Sequence, residues 1–355
     1  MMKDEAGIAL FLVLWVLTLL SVIAGEFCFA MRTEVNITRN FKDQTISYYI
    51  ALAGINRAIG EMIRNEVMPP TRVSSIGVPG QPEEKETEVE EEREFWRINV
   101  EIPPESYGEG VYQVRIENES GKINLNGANE AMLKMMLNRF DLDENEKSVI
   151  VDSILDWRDK NDVHRLNGAE NEYYRSLPKP YECKDGDFDS VEELLMVRGV
   201  TPEIFYGGLK NIVTVFKPPV KRQRSTAGRG FRVVGADLNK VNINAATKDV
   251  LLSLPSMTED LVQQIMDFRK ESDFRSLAEV TALVGGSVYN AISPYITLES
   301  SPYFSIRSVG KMADGRIQQG IEAWVEIDRK LKKGFRIVQW RDRAEESEPA
   351  TSDGE

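Results

Sequence analysis

KINLNGA at Lys122 to Ala128 returns as KVNINAA at Lys240 to Ala246, an offset of 118 residues. VDSILDWR (Val151 to Arg158) returns as VQQIMDFR (Val262 to Arg269) at an offset of 111, and DFDSVEEL (Asp187 to Leu194) as DFRSLAEV (Asp273 to Val280) at 86. Three motifs repeated in the same order mark a duplicated unit. The falling offset locates the differences. The first copy carries seven extra residues before its second helix and 25 more after it. Each copy otherwise reads as an asparagine-rich turn, two or three short helices and a phenylalanine-serine start to a final helix. The copies span 121–216 and 237–295, and the stretch 217–236, Pro/Gly-rich and basic, reads as a flexible linker.

The unit resembles a helix-hairpin-helix or SAM-like module, many of which bind DNA. Such binding needs a glycine-rich hairpin, because backbone N–H groups must approach a phosphate closely. Here the hairpins are LPSMTED (Leu254 to Asp260) and the acidic FDLDENE (Phe140 to Glu146), neither with a glycine. Net charge is −13, from 44 basic and 57 acidic side chains, against the basic face that nucleic-acid binders present. No nucleic-acid partner is expected; a membrane-anchored, competence-type DNA-binding protein is the alternative reading.

The surplus of the first copy runs DKNDVHRLNGAENEYYRSLPKPYECKDG after Arg158. Asp159, Asn161 and Asp162 fall within four residues, and Glu170 and Glu172 return after a glycine turn at Gly168. Alternating Asp and Asn oxygens with carboxylates from a second segment suit calcium's six to eight oxygen ligands. The spacing is not that of an EF-hand, and a solvated acidic loop is the competing reading. Tyr173, Tyr174 and Tyr181 give the loop something to bury, and an ordered loop of close carboxylates needs a counter-charge. Asp156 has a counterpart, Asp267, in the copy without the loop, so it is a weaker ligand candidate that could serve the repeat itself.

Composition closes off most enzyme chemistry. One histidine and two cysteines cannot build a Cys/His zinc site, and His164 has no nucleophile elbow for a triad. His164 reads as a surface or packing residue, and Cys28 and Cys183 lie too far apart in the chain's organisation to be paired. The chain is read as non-enzymatic.

Outside the duplicated unit the pattern alternates. RINVEIP and VYQVRIENE precede it; YFSIRSVGKM, GIEAWVEIDR and FRIVQWRDR follow it, joined by ADGR and KLKKG. These read as strands, the last three as a meander. A sheet body at 66–120 and 296–341 is thus interrupted by the helical insert. Within it 66–94 reads as a solvated loop, glutamate-rich from Glu83 to Glu94, and 342–355 as a disordered tail.

The chain starts MMKDEAG and then runs IALFLVLWVLTLLSVIA from Ile8 to Ala24 without a charge. An all-round apolar run of this length suits a membrane-spanning helix better than a core helix. A secretory signal would place its cleavage site after the run, whereas Ala6-Gly7 precedes it. Helical periodicity continues through Ile37, Phe41, Ile46, Tyr49, Leu52, Ile55 and Ile59 to about Asn65, so the span (8–30) and a soluble half (31–65) form one helix packing its upper part on the body.

This start resembles the type IV pilin and pseudopilin leader (1–7), in which a prepilin peptidase cuts after a glycine, here between Gly7 and Ile8. Two positions depart from that pattern. Ile8 stands where phenylalanine or methionine is usual, and Leu12 where the fifth mature residue is usually glutamate. The lost glutamate would have paired with the N-terminal amine of the subunit already in place. This leader, AGINRAIGEM, GKINLN, DWRDKND…NGAENEYY, FDSVEELLMVRGV and VNINAAT together resemble the minor pseudopilin K family of type II secretion systems. The resemblance implies an α+β fold: a pilin-like long N-terminal helix and small antiparallel sheet, interrupted by an all-α insert carrying calcium near this loop. It implies a tip subunit of the pseudopilus, partnered by minor pseudopilins I and J and other pseudopilins. It would be anchored once in inner-membrane lipid, with the rest in the periplasm.

Overall fold

The computed structural model describes residues 4–67, 96–100, 102–217, 221–224, 231–234, 237–313 and 317–343. The first leader residues, most of the acidic loop and most of the tail lie outside the described residues.

One helix, α1 (Asp4–Val67), carries the whole N-terminal region. At about 1.5 Å per residue it is nearly 100 Å long. From Ala9 to Lys42 its side chains are exposed, and apolar residues such as Phe11, Trp15 and Phe27 face outward with no partner in this chain. Burial begins near Ile46. Ile37 and Phe41 therefore do not pack on the body as their periodicity suggested: at 58% and 71% exposure they project from the helix below the sheet.

Strands β1 (Glu105–Tyr107) and β2 (Gly110–Asn118) follow, and after the insert come β9 (Tyr303–Met312), β10 (Gln318–Ile327) and β11 (Phe335–Arg343). They form one antiparallel sheet in the order β1-β2-β9-β10-β11. Strand alternation sends Tyr112, Val114, Ile116, Ile306, Ile321, Ala323 and Val325 to one face, where Ile50, Ala51, Ile55, Ala58 and Ile59 of α1 cover them. The approach is close enough that a Cβ on Gly310 would collide with the Ser47 carbonyl, and one on Gly54 with Ser308.

The described residues of RINVEIP form no strand. Asn99 takes a left-handed conformation (φ 54°), its N–H donates to the Ile116 carbonyl and its side-chain amide to the Ala245 carbonyl. Trp96 and Ile102 bury in the body core as parts of an irregular segment, so apolar alternation here reflects anchoring rather than ladder pairing.

The insert comprises β3 (Ile123–Asn124), α2 (Glu130–Met136), α3 (Glu144–Arg158), α4 (Asn171–Arg175), α5 (Pro202–Ile204), α6 (Lys210–Ile212), β4 (Val213–Thr214), β5 (Lys221–Arg224), β6 (Phe231–Val234), β7 (Val241–Asn242), α7 (Lys248–Ser253), α8 (Glu259–Glu271), α9 (Leu277–Val284), α10 (Gly286–Ile292) and β8 (Ile296–Thr297). Each copy closes by a short parallel pair, Ile123 beside Val213 and Val241 beside Ile296. The repeat is also a repeat of contacts. Asn126 donates to the Phe188 carbonyl and accepts from its N–H (2.9 and 2.7 Å); Asn244 does the same with Phe274 (2.9 and 2.9 Å). Arg158 donates to the carbonyls of Leu125 and Ala128, and Arg269 to those of Ile243 and Ala246. Both copies share one apolar core. The stretch read as a flexible linker contains, among its described residues, an antiparallel pair, β5 with β6.

The insert leaves the sheet at the end of β2, where Asn118 and Ser301 exchange hydrogen bonds of 2.8 and 3.1 Å. Gly310 lies beside Ser47 and Ser308 beside Gly54, so the sheet ascends α1 away from the exposed apolar segment. The insert is therefore held at the end of the body farthest from that segment.

Candidate metal centre

The end of α3, the loop after it and the start of α4 bring carboxylates together. Single oxygens of Asp156, Asp159 and Glu170 lie within 4.8 Å of one another, and so do ligand atoms of Glu170, Cys183 and Asp185. The scaffold is aromatic. The Trp157 ring meets Tyr174 edge-on at 5.2 Å, Tyr174 meets Tyr181 at 5.2 Å, and Tyr174 is fully buried. Arg198 stacks on Tyr173 and donates to the Gly168 carbonyl at 2.9 Å. Gly168 is required there, since a Cβ would strike the Asp156 carboxylate.

Counter-charge reaches half of this cluster. Arg165 donates to Asp156 and, at 2.7 Å, to Asp159. Glu170, 4% exposed, has both carboxylate oxygens buried without a hydrogen-bond donor in bonding geometry, and Asp185 has one such oxygen. Burial, with Asp156 beside it, pushes the Glu170 carboxyl up to about 7, although the nearby Cys183 thiol pulls slightly the other way. Burial also raises Asp156, against the pull of Arg165. A desolvated carboxylate without a donor costs several kcal/mol on the order of magnitude of a lost charged hydrogen bond or more, which a bound cation would offset. The residues present thus fit a divalent cation, and the oxygen set Asp156, Asp159 and Glu170 fits a hard one.

The remaining residues expected from the sequence stand outside. Asn161 spends its amide on Asp159 and its carbonyl oxygen on the Val163 N–H. Asp162 accepts from Asn171 at 3.0 Å, and Asn171 alone links it towards Asp185. Glu172 points to solvent on the first turn of α4. Asp156 belongs to the loop, not to the repeat: its counterpart Asp267 is exposed and tied to Lys270 and Gln263. Cys183 and Asp185 were not among the expected ligands; spacing gave no cue, because they join through a fold-back pinned by Asn171 Oδ1 on the Cys183 N–H at 2.8 Å. His164 is exposed and faces the Arg165 carbonyl. At the other end of the molecule, Gly7, Ile8 and Leu12 all lie within α1, with Leu12 exposed.

Two family models, both described as type II secretion system protein K, match residues 116–218 and 241–299. The chain belongs to the type II secretion system protein K family. The two matches fall on the two copies of the insert. Among solved structures, the crystal structure of the GspK-GspI-GspJ complex from enterotoxigenic Escherichia coli is similar at a TM-score of 0.57 and 15% identity, covering 86% of this chain and 99% of that one. At that identity the likeness is one of fold. A comparison with curated proteins found no match. The chain is a minor pseudopilin of type II secretion, and the one long, apolar helix among its described residues, at the N-terminus, fits a single-pass membrane anchor.

Proposed function

We propose that this chain is a non-enzymatic tip subunit that initiates or caps the pseudopilus, standing in the inner membrane with its body in the periplasm. The supporting observation is the position of the insert, at the end of the body farthest from the exposed apolar part of α1. A subunit stacked above would have to occupy that volume. Leu12 agrees, because it offers no carboxylate to the amine of an earlier subunit. Exposed Val35, Ile37 and Phe41 on α1 supply an unsatisfied apolar face for neighbouring helices, and minor pseudopilins I and J are the proposed partners. The prepilin peptidase would cut between Gly7 and Ile8. Calcium is the proposed ion at Asp156, Asp159 and Glu170.

Fibres assembled with an epitope-tagged copy of this chain, imaged after gold labelling, test the reading. Label at a single end supports it; label distributed along the fibre overturns it. For calcium, the expected outcome is a higher melting temperature than in chelator, with the difference lost in D159A/E170A. Superimposable curves for the unaltered chain in calcium and chelator would remove the ion from the account and leave the tip role standing.

A further inference from the structure

The face of the sheet turned away from α1 carries a row of charge that strand pairing does not balance. Arg115 of β2 stands directly opposite Arg307 of β9, Arg307 opposite Glu322 of β10, and Glu322 opposite Arg341 of β11. Like charges in direct cross-strand register work against the pairing that holds them. The insert overhangs this row and makes it one wall of a cleft of about 660 Å³. The other wall supplies Lys210, its ammonium 5.1 Å from the centre of the Tyr206 ring, and Lys248 at the exposed start of α7. Arg341 is held by Glu192 of the insert at 2.6 Å. Arg115, Lys210 and Lys248 have no carboxylate partner among the described residues. Solvation accounts for a lone surface lysine. It does not account for three unpaired cations, from the body and from both copies of the insert, converging on one cleft of a chain whose net charge is −13.

We propose that this cleft docks an acidic, extended segment of a second polypeptide. Arg115 offers a carboxylate a two-pronged hydrogen bond, and Lys210 and Lys248 act on it as point charges. The acids of the cleft decide what kind of anion it takes. Glu117, Glu192 and Glu322 line it too and would repel a cluster of phosphates, whose charge cannot be placed around them. A peptide sets its carboxylates against the cations and its uncharged groups against the acids. Tyr206, 61% exposed, gives the peptide an aromatic surface to lie on. The proposal is independent of where in the fibre the chain stands.

The test is fluorescence polarisation with the full chain in detergent. The probes are fluorescein-labelled serine decapeptides with four glutamates at varied spacings, against all-serine and four-lysine controls. At least one glutamate spacing should bind above both controls, weaken as salt rises, and lose about tenfold or more in R115E/K248E. K332E reverses an exposed charge on the β10–β11 turn, outside the cleft, and should bind as the unaltered chain does. E192Q frees Arg341 from its partner and should tighten binding by about threefold or more. If R115E/K248E melts below the unaltered chain, R115Q decides, with an expected loss of about threefold or more. Four results would each overturn the proposal: no glutamate spacing above the controls; unchanged affinity in the deciding cleft variant; equal losses in K332E; or no gain in E192Q. Displacement of the peptide by an equal concentration of pyrophosphate would also overturn it, by showing a simple anion site.

Discussion

Glu170 couples the charge state of the loop to its stability. Its folded carboxyl is pushed up to about 7, above the ordinary glutamate value, chiefly by burial. Between those values the folded chain holds a proton that the unfolded chain releases, so stability without an ion falls as pH rises through that window. Asp156, also raised, contributes with the same sign. In chelator, unfolding free energy should therefore decline from pH 5 to pH 8 by an amount on the order of 1–3 kcal/mol, and the melting temperature should fall with it. E170Q should flatten most of that decline, and calcium should reverse it by favouring the ionised form. A melting temperature independent of pH in chelator would mean that Glu170 finds a donor in solution. Composition and local spacing pointed to Asp159 and Glu170 but equally to Asn161, Asp162 and Glu172. What separates them is the convergence of Asp159 and buried Glu170 on Asp156, a property of the fold-back and not of the loop's own spelling.

The two copies of the insert are held by the same side chains doing the same work, and those side chains were visible as repeated letters. Asn126 and Asn244 close a loop onto Phe188 and Phe274, and Arg158 and Arg269 bind carbonyls at the start of each copy. Burial lowers Arg269 to about 10, so it remains charged at neutral pH, and its hydrogen bonds are charge-assisted. N244A leaves the Phe274 N–H and carbonyl without their partner and should cost about 2–3 kcal/mol. N126A should cost a similar amount, and denaturant midpoints of the two variants check it; a loss below about 0.5 kcal/mol in both would make the shared asparagine a coincidence of descent. Glycines on α1 and on the sheet against it divide by what a methyl would meet. G310A would drive a methyl into the Ser47 carbonyl across the helix–sheet contact, and should destabilise the body by more than about 2 kcal/mol. G60A meets nothing within 4 Å on the exposed side of the helix and should gain about 0.5–1 kcal/mol. The helix, the meander and the duplication were legible because each has a period. RINVEIP was misread because alternation does not report which backbone groups find partners, and Pro/Gly content likewise does not report the pairing of Lys221–Arg224 with Phe231–Val234.

At the scale of the molecule, the proposed tip role needs the insert and the body to hold together, and the junction between them is polar. Lys122 sits where β2 passes into the insert, with Glu119 at 2.9 Å and Glu117 at 3.3 Å, and Ser305 of β9 at 3.4 Å. Burial opposes the charged ammonium, but Glu119 and Glu117 outweigh it and hold the group above its usual range. Around it Asn118 bonds Ser301, Asn242 bonds Ser120 and Ser300, and Arg97 reaches Asp273 at 2.6 Å. None of this was readable beforehand, since Asn118 and Ser301 are separated by the whole insert. K122A leaves the Glu119 carboxylate buried without its partner and should cost about 3–5 kcal/mol. K122M, which keeps the stem, should recover little, because the deficit is one of charge. If the junction is what unites the two parts, the K122A chain should melt in two transitions, the insert separating from the body, while the unaltered chain melts in one. Calcium should then raise only the transition that belongs to the insert. A single transition in K122A, lowered as a whole and shifted as a whole by calcium, would show that the other junction contacts suffice and that Lys122 contributes stability without uniting the parts.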